Sequence, residues 1–364
     1  MSVVHGGNVF EIAFRLGCAP EDILDYSASI NPLGPPEGLL GELEQYFHRV
    51  RHYPDIRNLA LVEALADFHG VSPEQVVVGN GSTELIYALP QTLGVYRAAA
   101  ALPTFGEYRR AFEIQGGRVE KILTSPENLF QPTVAQIDAA LDAVVPPDAI
   151  LATSPGSPSG CILPEAVRDR LLERCKAANV SCIVDEVFMD FCEDASMKEF
   201  LGDYPNLVLI RSMTKFYGIP GLRIGYLLTS EATARRVRER IPPWSVNTLA
   251  QIAGVYCLRQ EEYRQATLRL VEDERSRMRA ALDAVEGFRA LPGRANYLVM
   301  ELGEGLPSAR TMRDDVLASD RILIRDCSSF EGMNDRYVRL AVRLPEENDR
   351  LLYALIHWAA ANAR

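Results

Sequence analysis

A lysine, Lys215, stands just beyond an apolar segment typical of a buried strand, NLVLI at residues 206–210. A lysine in this position is partly removed from water, which lowers its pKa and frees the amine for Schiff-base chemistry. Ser212 and Arg223 flank it with a hydroxyl and a guanidinium, a pair suited to a phosphate dianion. An isolated lysine is usually a solvated surface charge, but these neighbours favour a covalent site beside an anion site.

Two other apolar segments end in polar residues that could share this site. The segment at 181–184 is followed by Asp185, a carboxylate that is costly to bury unless a cation or a donor meets it. The segment at 75–78 runs into a glycine-rich turn, where Ser82 and Thr83 would begin a helix whose free N–H groups suit a phosphate. Each feature alone also fits ordinary structure, a capped loop or a turn into a helix.

Tyr108, which follows a turn at Pro103, adds an aromatic ring, although taken singly it fits a core residue equally well. Together the residues match what a pyridoxal 5'-phosphate site needs. Lys215 would hold the aldehyde, Asp185 would keep the ring nitrogen protonated, and Tyr108 would stack on the ring. The hydroxyl, the arginine and the glycine-rich turn would hold the phosphate.

The elements that must position these residues alternate along the chain. Short apolar runs at 75–78, 149–153, 181–184, 207–210 and 224–228 are separated by helical stretches. This alternation predicts a mostly parallel sheet with helices on both faces. Residues 249–285 then show a long helical pattern with at most one break. The tail predicts strands in NYLVMEL, RILIRD and RYVRLAVR and a closing helix at 348–361, so a smaller α+β unit accompanies the α/β unit.

Composition excludes several classes of function. The 364 residues carry 38 basic and 49 acidic side chains, a formal charge of -11, which disfavours nucleic acid and anionic membranes as partners. No segment reaches the roughly 18 apolar residues of a membrane span and the N-terminus lacks a basic leader pattern, so we expect a cytoplasmic protein. Seven scattered cysteines without a CxxC pair predict reduced thiols and no metal site.

Several motifs carry a family resemblance: HGGN at 5–8, DYSASINPLG at 25–34, RHYPD at 51–55, TKFYGIPGLRIGY at 214–226, PWSVN at 243–247 and PGRANYL at 292–298. With them the chain resembles fold type I pyridoxal phosphate enzymes of the aspartate aminotransferase superfamily over nearly its whole length. Within that superfamily it is most similar to threonine-phosphate decarboxylases of cobalamin biosynthesis, which are relatives of histidinol-phosphate aminotransferases.

The resemblance implies a domain organisation. It gives a large, mostly parallel, seven-stranded α/β/α domain at 35–255 that binds pyridoxal 5'-phosphate. A small, discontinuous α+β domain, formed by 1–34 and 256–364, would close over the active site. The family is homodimeric, with active sites shared between subunits.

The resemblance also assigns roles to single residues. Lys215 holds the cofactor covalently, Asp185 bonds the ring nitrogen and Tyr108 stacks on the ring. The cofactor phosphate is expected to meet Ser82, Thr83, Ser212, Arg223 and, from a second subunit, Tyr53. The substrate is expected to meet Arg339 through its α-carboxylate, with Arg325, His5, Gly6 and Asn31 nearby and with Arg325 and His5 as candidates for its phosphate.

Two positions depart from the usual superfamily pattern. Ser157 stands where an asparagine usually donates a hydrogen bond to the cofactor's ring oxygen, and Phe188 stands where many aminotransferases have a tyrosine. Phenylalanine also occurs at this position in the decarboxylase branch. We therefore expect Ser157 to donate directly or through a water, with an altered pKa of the bound cofactor.

The resemblance implies decarboxylation of L-threonine O-3-phosphate to (R)-1-amino-2-propanol O-2-phosphate. Three alternatives stay open from the sequence. They are transamination of histidinol phosphate with 2-oxoglutarate, decarboxylation of serine phosphate, and a catalytically silent protein that binds the cofactor. Lys215 together with Asp185 argues against the last.

Overall fold

The computed structural model describes residues 6–362 of the chain. Its strands, numbered in chain order, are β1 (Leu24–Asp25), β2 (Val76–Asn80), β3 (Arg97–Leu102), β4 (Arg118–Leu123), β5 (Ala149–Thr153), β6 (Ser181–Asp185), β7 (Leu207–Ser212), β8 (Ile224–Thr229), β9 (Phe288–Ala290), β10 (Tyr297–Leu302), β11 (Ile322–Leu323), β12 (Arg325–Asp326) and β13 (Tyr337–Ala341). Its helices are α1 (Val9–Leu16), α2 (Leu39–Tyr46), α3 (Leu59–His69), α4 (Gly81–Leu93), α5 (Glu107–Glu113), α6 (Val134–Leu141), α7 (Glu165–Ala177), α8 (Met213–Phe216), α9 (Glu231–Arg238), α10 (Thr248–Leu258), α11 (Glu261–Asp283), α12 (Ala309–Asp320) and α13 (Pro345–Asn362).

The larger sheet has seven strands in the order β2-β8-β7-β6-β5-β3-β4. Strands β3 to β7 run parallel, and β8 runs antiparallel to both of its neighbours. Every residue of β5, β7 and β8 is buried, as expected for strands covered by helices on both faces. The predicted seven-stranded, mostly parallel sheet is confirmed. The carboxyl ends of β5, β6 and β7 therefore meet at one edge.

Strands β3 and β4 are not among the five apolar runs from which the sheet is predicted. The sequence of β4, RVEKIL, is mostly charged or exposed, and β4 is one of the two edge strands of the sheet. Edge strands commonly carry charged side chains, which oppose pairing with another chain. β4 consequently lacks an apolar run, whereas β2, the other edge strand, has one.

The tail forms a four-stranded antiparallel sheet, β12-β13-β10-β9, and β1 pairs in parallel with β11. The segment RILIRD, predicted as one strand, is two short strands in different sheets. Its first half, β11, pairs with the N-terminal β1, and its second half, β12, pairs with β13. This division brings residues from both chain ends beside the large sheet.

A second apolar core lies between the four-stranded sheet and α11, α12 and α13. The helical pattern at 249–285 forms α10 and α11, with its predicted break at residues 259–260. The boundaries at 34/35 and 255/256 stay a prediction, although the two cores agree with two units. Within residues 6–362 the structure contains no helix both long and apolar enough to cross a membrane.

Candidate active site

The strand ends of the large sheet open into a cleft of about 1410 Å³ that is closed on its other side by residues of the small sheets. Ligands of open α/β sheets bind outside the carboxyl ends of the strands. Pockets for one small molecule usually measure about 300 to 1,000 Å³, so this cleft has room for a cofactor and a small substrate. The predicted residues that line it are Gly6, Ser82, Thr83, Tyr108, Ser157, Asp185, Ser212, Lys215, Arg223, Arg325 and Arg339.

Lys215 lies on the short helix α8, one turn beyond β7. Ser212 begins this helix, and its hydroxyl oxygen accepts a hydrogen bond from the Thr214 N–H at 3.4 Å. Burial lowers the pKa of the Lys215 amine to about 8, against the opposing charge of Asp185. The guanidinium groups of Arg223 and Arg339 lower this pKa further. The amine is therefore available as a nucleophile closer to neutral pH than an ordinary lysine.

The low pKa of Lys215 has a measurable consequence for cofactor loading. The rate at which the apoprotein binds pyridoxal 5'-phosphate covalently is expected to rise as the pH passes through about 8, because only the neutral amine attacks the aldehyde. Stopped-flow absorbance at several pH values measures this rate. A rate that rises only as the pH passes through about 10.4, the pKa of an unperturbed lysine, would contradict a lowered pKa for Lys215.

Asp185 ends β6 inside the cleft and is only 3% exposed. Burial raises the pKa of its carboxyl, against the Tyr108 hydroxyl, the Val187 N–H and the charge of Lys215. The Val187 N–H donates to Asp185 Oδ1 at 3.0 Å. A protonated ring nitrogen placed against this carboxylate would keep it ionised, as an opposite charge does for a buried acid. Tyr108, itself buried, supplies the aromatic surface beside it.

The start of α4, Ser212 and Arg223 line the same cleft and are the candidates for an anion site. Gly81 has a φ of +76°, and a Cβ added there would lie 2.5 Å from Arg223 Nη2. A Cβ at Gly225 would lie 2.1 Å from the Ser82 nitrogen. The two glycines thus let the guanidinium and the first amides of a 13-residue helix approach each other. Helix N–H groups, a hydroxyl and a guanidinium together suit a phosphate.

Arg325 and Arg339 face each other across the antiparallel pair β12 and β13. Both are buried at 8% exposure. Arg339 Nη2 donates to the Ser27 carbonyl oxygen at 3.1 Å, while its Nε has no hydrogen-bond partner among residues 6–362. Burial and the charge of Arg339 lower the pKa of Arg325. Like charges directly opposite destabilise a sheet, so this pair is suited to a ligand with two anionic groups.

The residues present fit pyridoxal 5'-phosphate. The nucleophilic amine, the buried carboxylate and the anion site lie in one cleft, and their chemistry matches the aldehyde, the ring nitrogen and the phosphate of that molecule. Ser157 and Phe188 line the same cleft. Phe188 packs edge-on against Tyr297 at 4.9 Å between ring centroids and carries no hydroxyl. Of the two positions that differ from the usual superfamily pattern, 157 and 188, only Ser157 therefore offers a hydroxyl.

A substitution at Ser157 tests how the site treats the cofactor's ring oxygen. Ser157→Asn is expected to shift the pKa of the bound cofactor by about one unit, because a hydrogen bond to a charged oxygen is worth about 1.5 to 3 kcal/mol. An absorbance titration of the loaded protein measures this pKa. Identical titration curves for the two proteins would contradict a role for Ser157.

Two of the predicted site residues, Asn31 and Tyr53, do not line the cleft, and a third falls outside the described residues. Asn31 is buried outside the cleft, where its side-chain nitrogen lies 2.6 Å from the Phe216 carbonyl oxygen and 2.8 Å from Thr267 Oγ1. Its backbone N–H donates to the Lys215 carbonyl oxygen at 2.9 Å, so Asn31 holds the lysine segment in place of the expected substrate contact. Tyr53 is 81% exposed and stacks on Trp244, and its reach into a second subunit stays a prediction. His5 lies outside the described residues.

The sequence pattern missed a buried ion-pair network behind the strand ends. Arg211, which precedes Ser212 on β7, is fully buried and pairs with Glu186 at 3.0 Å and with Glu193. Glu186 directly follows Asp185 at the end of β6. The pair therefore fixes the two strand ends relative to each other. The sequence does contain a signal for this network: Arg211 precedes Ser212, and Glu186 follows Asp185.

Contacts of Arg325 were also missed. Its Nη2 donates to the Ser329 hydroxyl at 2.8 Å, and its guanidinium lies 5.3 Å from the Phe330 ring centroid. The next residue, Glu331, pairs with Arg109, which follows the ring-stacking candidate Tyr108. The loop after β12 thus joins the small sheet to the large one. The spacing from Arg325 to Ser329 alone gives no indication of such contacts.

The model of the family "Aminotransferase class I and II" matches residues 21–355. Threonine-phosphate decarboxylase of Salmonella typhimurium is 37% identical over 359 residues, covering 96% of this chain and 95% of that protein. Histidinol-phosphate aminotransferase of Roseiflexus castenholzii is 32% identical over 359 residues, covering 94% and 92%. The resemblance predicted from the motifs is confirmed.

A solved structure supports the same relationship. The crystal structure of histidinol-phosphate aminotransferase from Clostridium acetobutylicum aligns with a TM-score of 0.86 at 26% identity, covering 93% of this chain and all of that one. The predicted fold is therefore confirmed. Relatives with decarboxylase and with aminotransferase names share it, so the fold does not separate the two reactions.

Proposed function

We propose that this chain, which belongs to the aminotransferase class I and II family and uses pyridoxal 5'-phosphate, decarboxylates L-threonine O-3-phosphate to (R)-1-amino-2-propanol O-2-phosphate. The observation that carries the proposal is the buried, opposed pair Arg325 and Arg339. Threonine phosphate carries two anionic groups on a short carbon chain. The 37% identity to a threonine-phosphate decarboxylase supports the same substrate.

In the proposed reaction, different residues bind the substrate and transfer the proton. The bound cofactor supplies an electron sink for the bond that breaks at the substrate's α-carbon. Arg339 would hold the carboxylate and Arg325 the phosphate, which sets the carboxylate bond perpendicular to the cofactor plane. The Lys215 amine is the group that can return a proton to the carbon that loses the carboxylate. No acid is needed to expel carbon dioxide, so the protein's contribution to the rate comes from positioning the substrate.

Transamination of histidinol phosphate with 2-oxoglutarate is the second candidate. The TM-score of 0.86 to a histidinol-phosphate aminotransferase favours it, and 2-oxoglutarate also carries two anionic groups. Histidinol phosphate itself has one anionic group, so its anion can pair with only one of the two arginines. Serine phosphate differs from threonine phosphate by one methyl, which a pocket discriminates by only about 1 to 3 kcal/mol.

The experiment that tests the proposal measures two products for each substrate. The loaded protein is incubated with threonine phosphate, with serine phosphate, and with histidinol phosphate plus 2-oxoglutarate, and carbon dioxide and glutamate are measured. The expected result is carbon dioxide from threonine phosphate, at a higher kcat/KM than from serine phosphate, and no glutamate. Glutamate without carbon dioxide would establish the aminotransferase instead.

We also propose that the protein is active as a homodimer. We propose that it works in the cytoplasm, in cobalamin biosynthesis. Exposed apolar side chains occur close in sequence to Tyr53, the residue expected to reach a second subunit, and Trp244 stacks on its ring. The exposed side chains are those of Leu40, Phe47, Val50, Ile56, Leu59 and Trp244, each at least 46% exposed. Exposed apolar patches of this kind often mark protein interfaces. A monomer in light scattering at micromolar concentration would contradict the dimer.

A further inference from the structure

Ser27, two residues beyond β1, lies where the N-terminal segment meets Arg339. It is 3% exposed and lines the cleft. Its hydroxyl donates to Asp25 Oδ1 at 2.6 Å and accepts from the Gly7 N–H at 2.9 Å. Its own N–H donates to the same Asp25 oxygen at 2.8 Å. Asp25 therefore orients the hydroxyl, and the hydroxyl holds Gly7.

The Ser27 carbonyl oxygen makes the second connection. It accepts a hydrogen bond from Arg339 Nη2 at 3.1 Å. Gly6 packs against the same oxygen, since a Cβ added at Gly6 would lie 2.3 Å from it. A residue with a side chain at this position would force the segment away. One serine thus contacts both the N-terminal segment and the arginine expected to bind the substrate carboxylate.

We infer that Ser27 is a positioning residue that fastens residues 6–7 over Arg339 and so closes the carboxylate end of the cleft. The inference rests on the proposed function, because the role of Arg339 does. The polar groups of Ser27 are engaged by Asp25, Gly7 and Arg339, so it acts through them and does not bind substrate. Covering Arg339 excludes water, which strengthens its attraction to a carboxylate.

Ser27→Ala removes the contact to Gly7 while leaving the backbone bond to Arg339. In hydrogen exchange of the loaded, substrate-free protein, the N-terminal peptide containing Gly7 is expected to exchange about five-fold faster, the effect of one neutral hydrogen bond. KM for threonine phosphate is expected to rise by about the same factor, with kcat and cofactor absorbance unchanged. A merely structural defect would lower the amount of active enzyme and hence kcat.

Two further variants make the test specific. Gly6→Ala displaces the segment by steric clash and should give the same exchange and KM phenotype as Ser27→Ala. Ser328→Ala is the matched control, because Ser328 has the same hydrogen bonds to Asp326, at 2.8 Å from its N–H and 2.9 Å from its hydroxyl. It has no hydrogen bond to Gly7, so exchange of the N-terminal peptide should be unaffected.

Unchanged exchange of the N-terminal peptide in Ser27→Ala would overturn the inference, as would faster exchange with an unchanged KM. The exchange measurement needs no substrate. If the wild-type protein releases no carbon dioxide from threonine phosphate, the proposed function fails, and the exchange result still shows whether Ser27 fastens the segment. KM is then measured with the substrate that turns over.

Discussion

Lys215→Ala is expected to lower the rate of product formation by about 1,000-fold or more, because it removes both the covalent anchor and the proton-transfer group. Lys215 is the amine whose pKa burial lowers to about 8 inside the cleft. The substitution leaves Ser212, Arg223 and the start of α4, the residues proposed to hold the cofactor phosphate, unchanged. The variant should therefore still bind the cofactor without a covalent link.

Borohydride reduction followed by peptide mass mapping checks this expectation. In the wild type the cofactor mass should appear on the peptide that contains Lys215, and in Lys215→Ala on no peptide. Lys176→Ala, an exposed lysine on α7, is the control and should keep both label and activity. Label on a different lysine of the wild type would show that the anchor is wrongly assigned.

Arg339→Gln is expected to lower kcat/KM for threonine phosphate by about 30-fold or more, since losing one partner of a buried charge pair costs about 2 to 5 kcal/mol. The substitution also removes the positive charge that lowers the pKa of Arg325. Relief of this repulsion opposes the loss of the Arg339 hydrogen bond to Ser27, so the free protein should be about as stable as the wild type. This combination distinguishes a binding arginine from a structural one.

Steady-state kinetics and thermal unfolding of the loaded protein measure the two effects. Arg310→Gln on α12, whose side chain is 69% exposed, is the control and should change neither. A large fall in Tm for Arg339→Gln, or a kcat/KM close to that of the wild type, would contradict the role assigned to Arg339.

The sequence predicted the parts of the site that follow apolar strands. Lys215 and Asp185 were found because each stands at the end of a run that only a covered sheet explains, and parallel strand ends meet at one edge. The resemblance then supplied Arg325 and Arg339. Their opposition across β12 and β13 depends on register, which the pattern of one chain does not give.

The sequence could not predict contacts between distant segments. Asn31 was expected to meet substrate, but the fold brings it to α8 and α11, where it holds the lysine segment. The contact of Ser27 with both Gly7 and Arg339 joins three segments that are far apart in sequence. Such positions depend on how the two cores pack together. Local propensity carries no information about that packing.

Incubation with threonine phosphate in deuterated water, with no oxo acid present, separates decarboxylation from transamination. One carbon dioxide is expected for each aminopropanol phosphate, with one deuterium on the carbon that carried the carboxylate. Turnover is expected to continue without an amino acceptor. A reaction that stops after one turnover and resumes only when 2-oxoglutarate is added, with glutamate as product, would contradict the proposed decarboxylation.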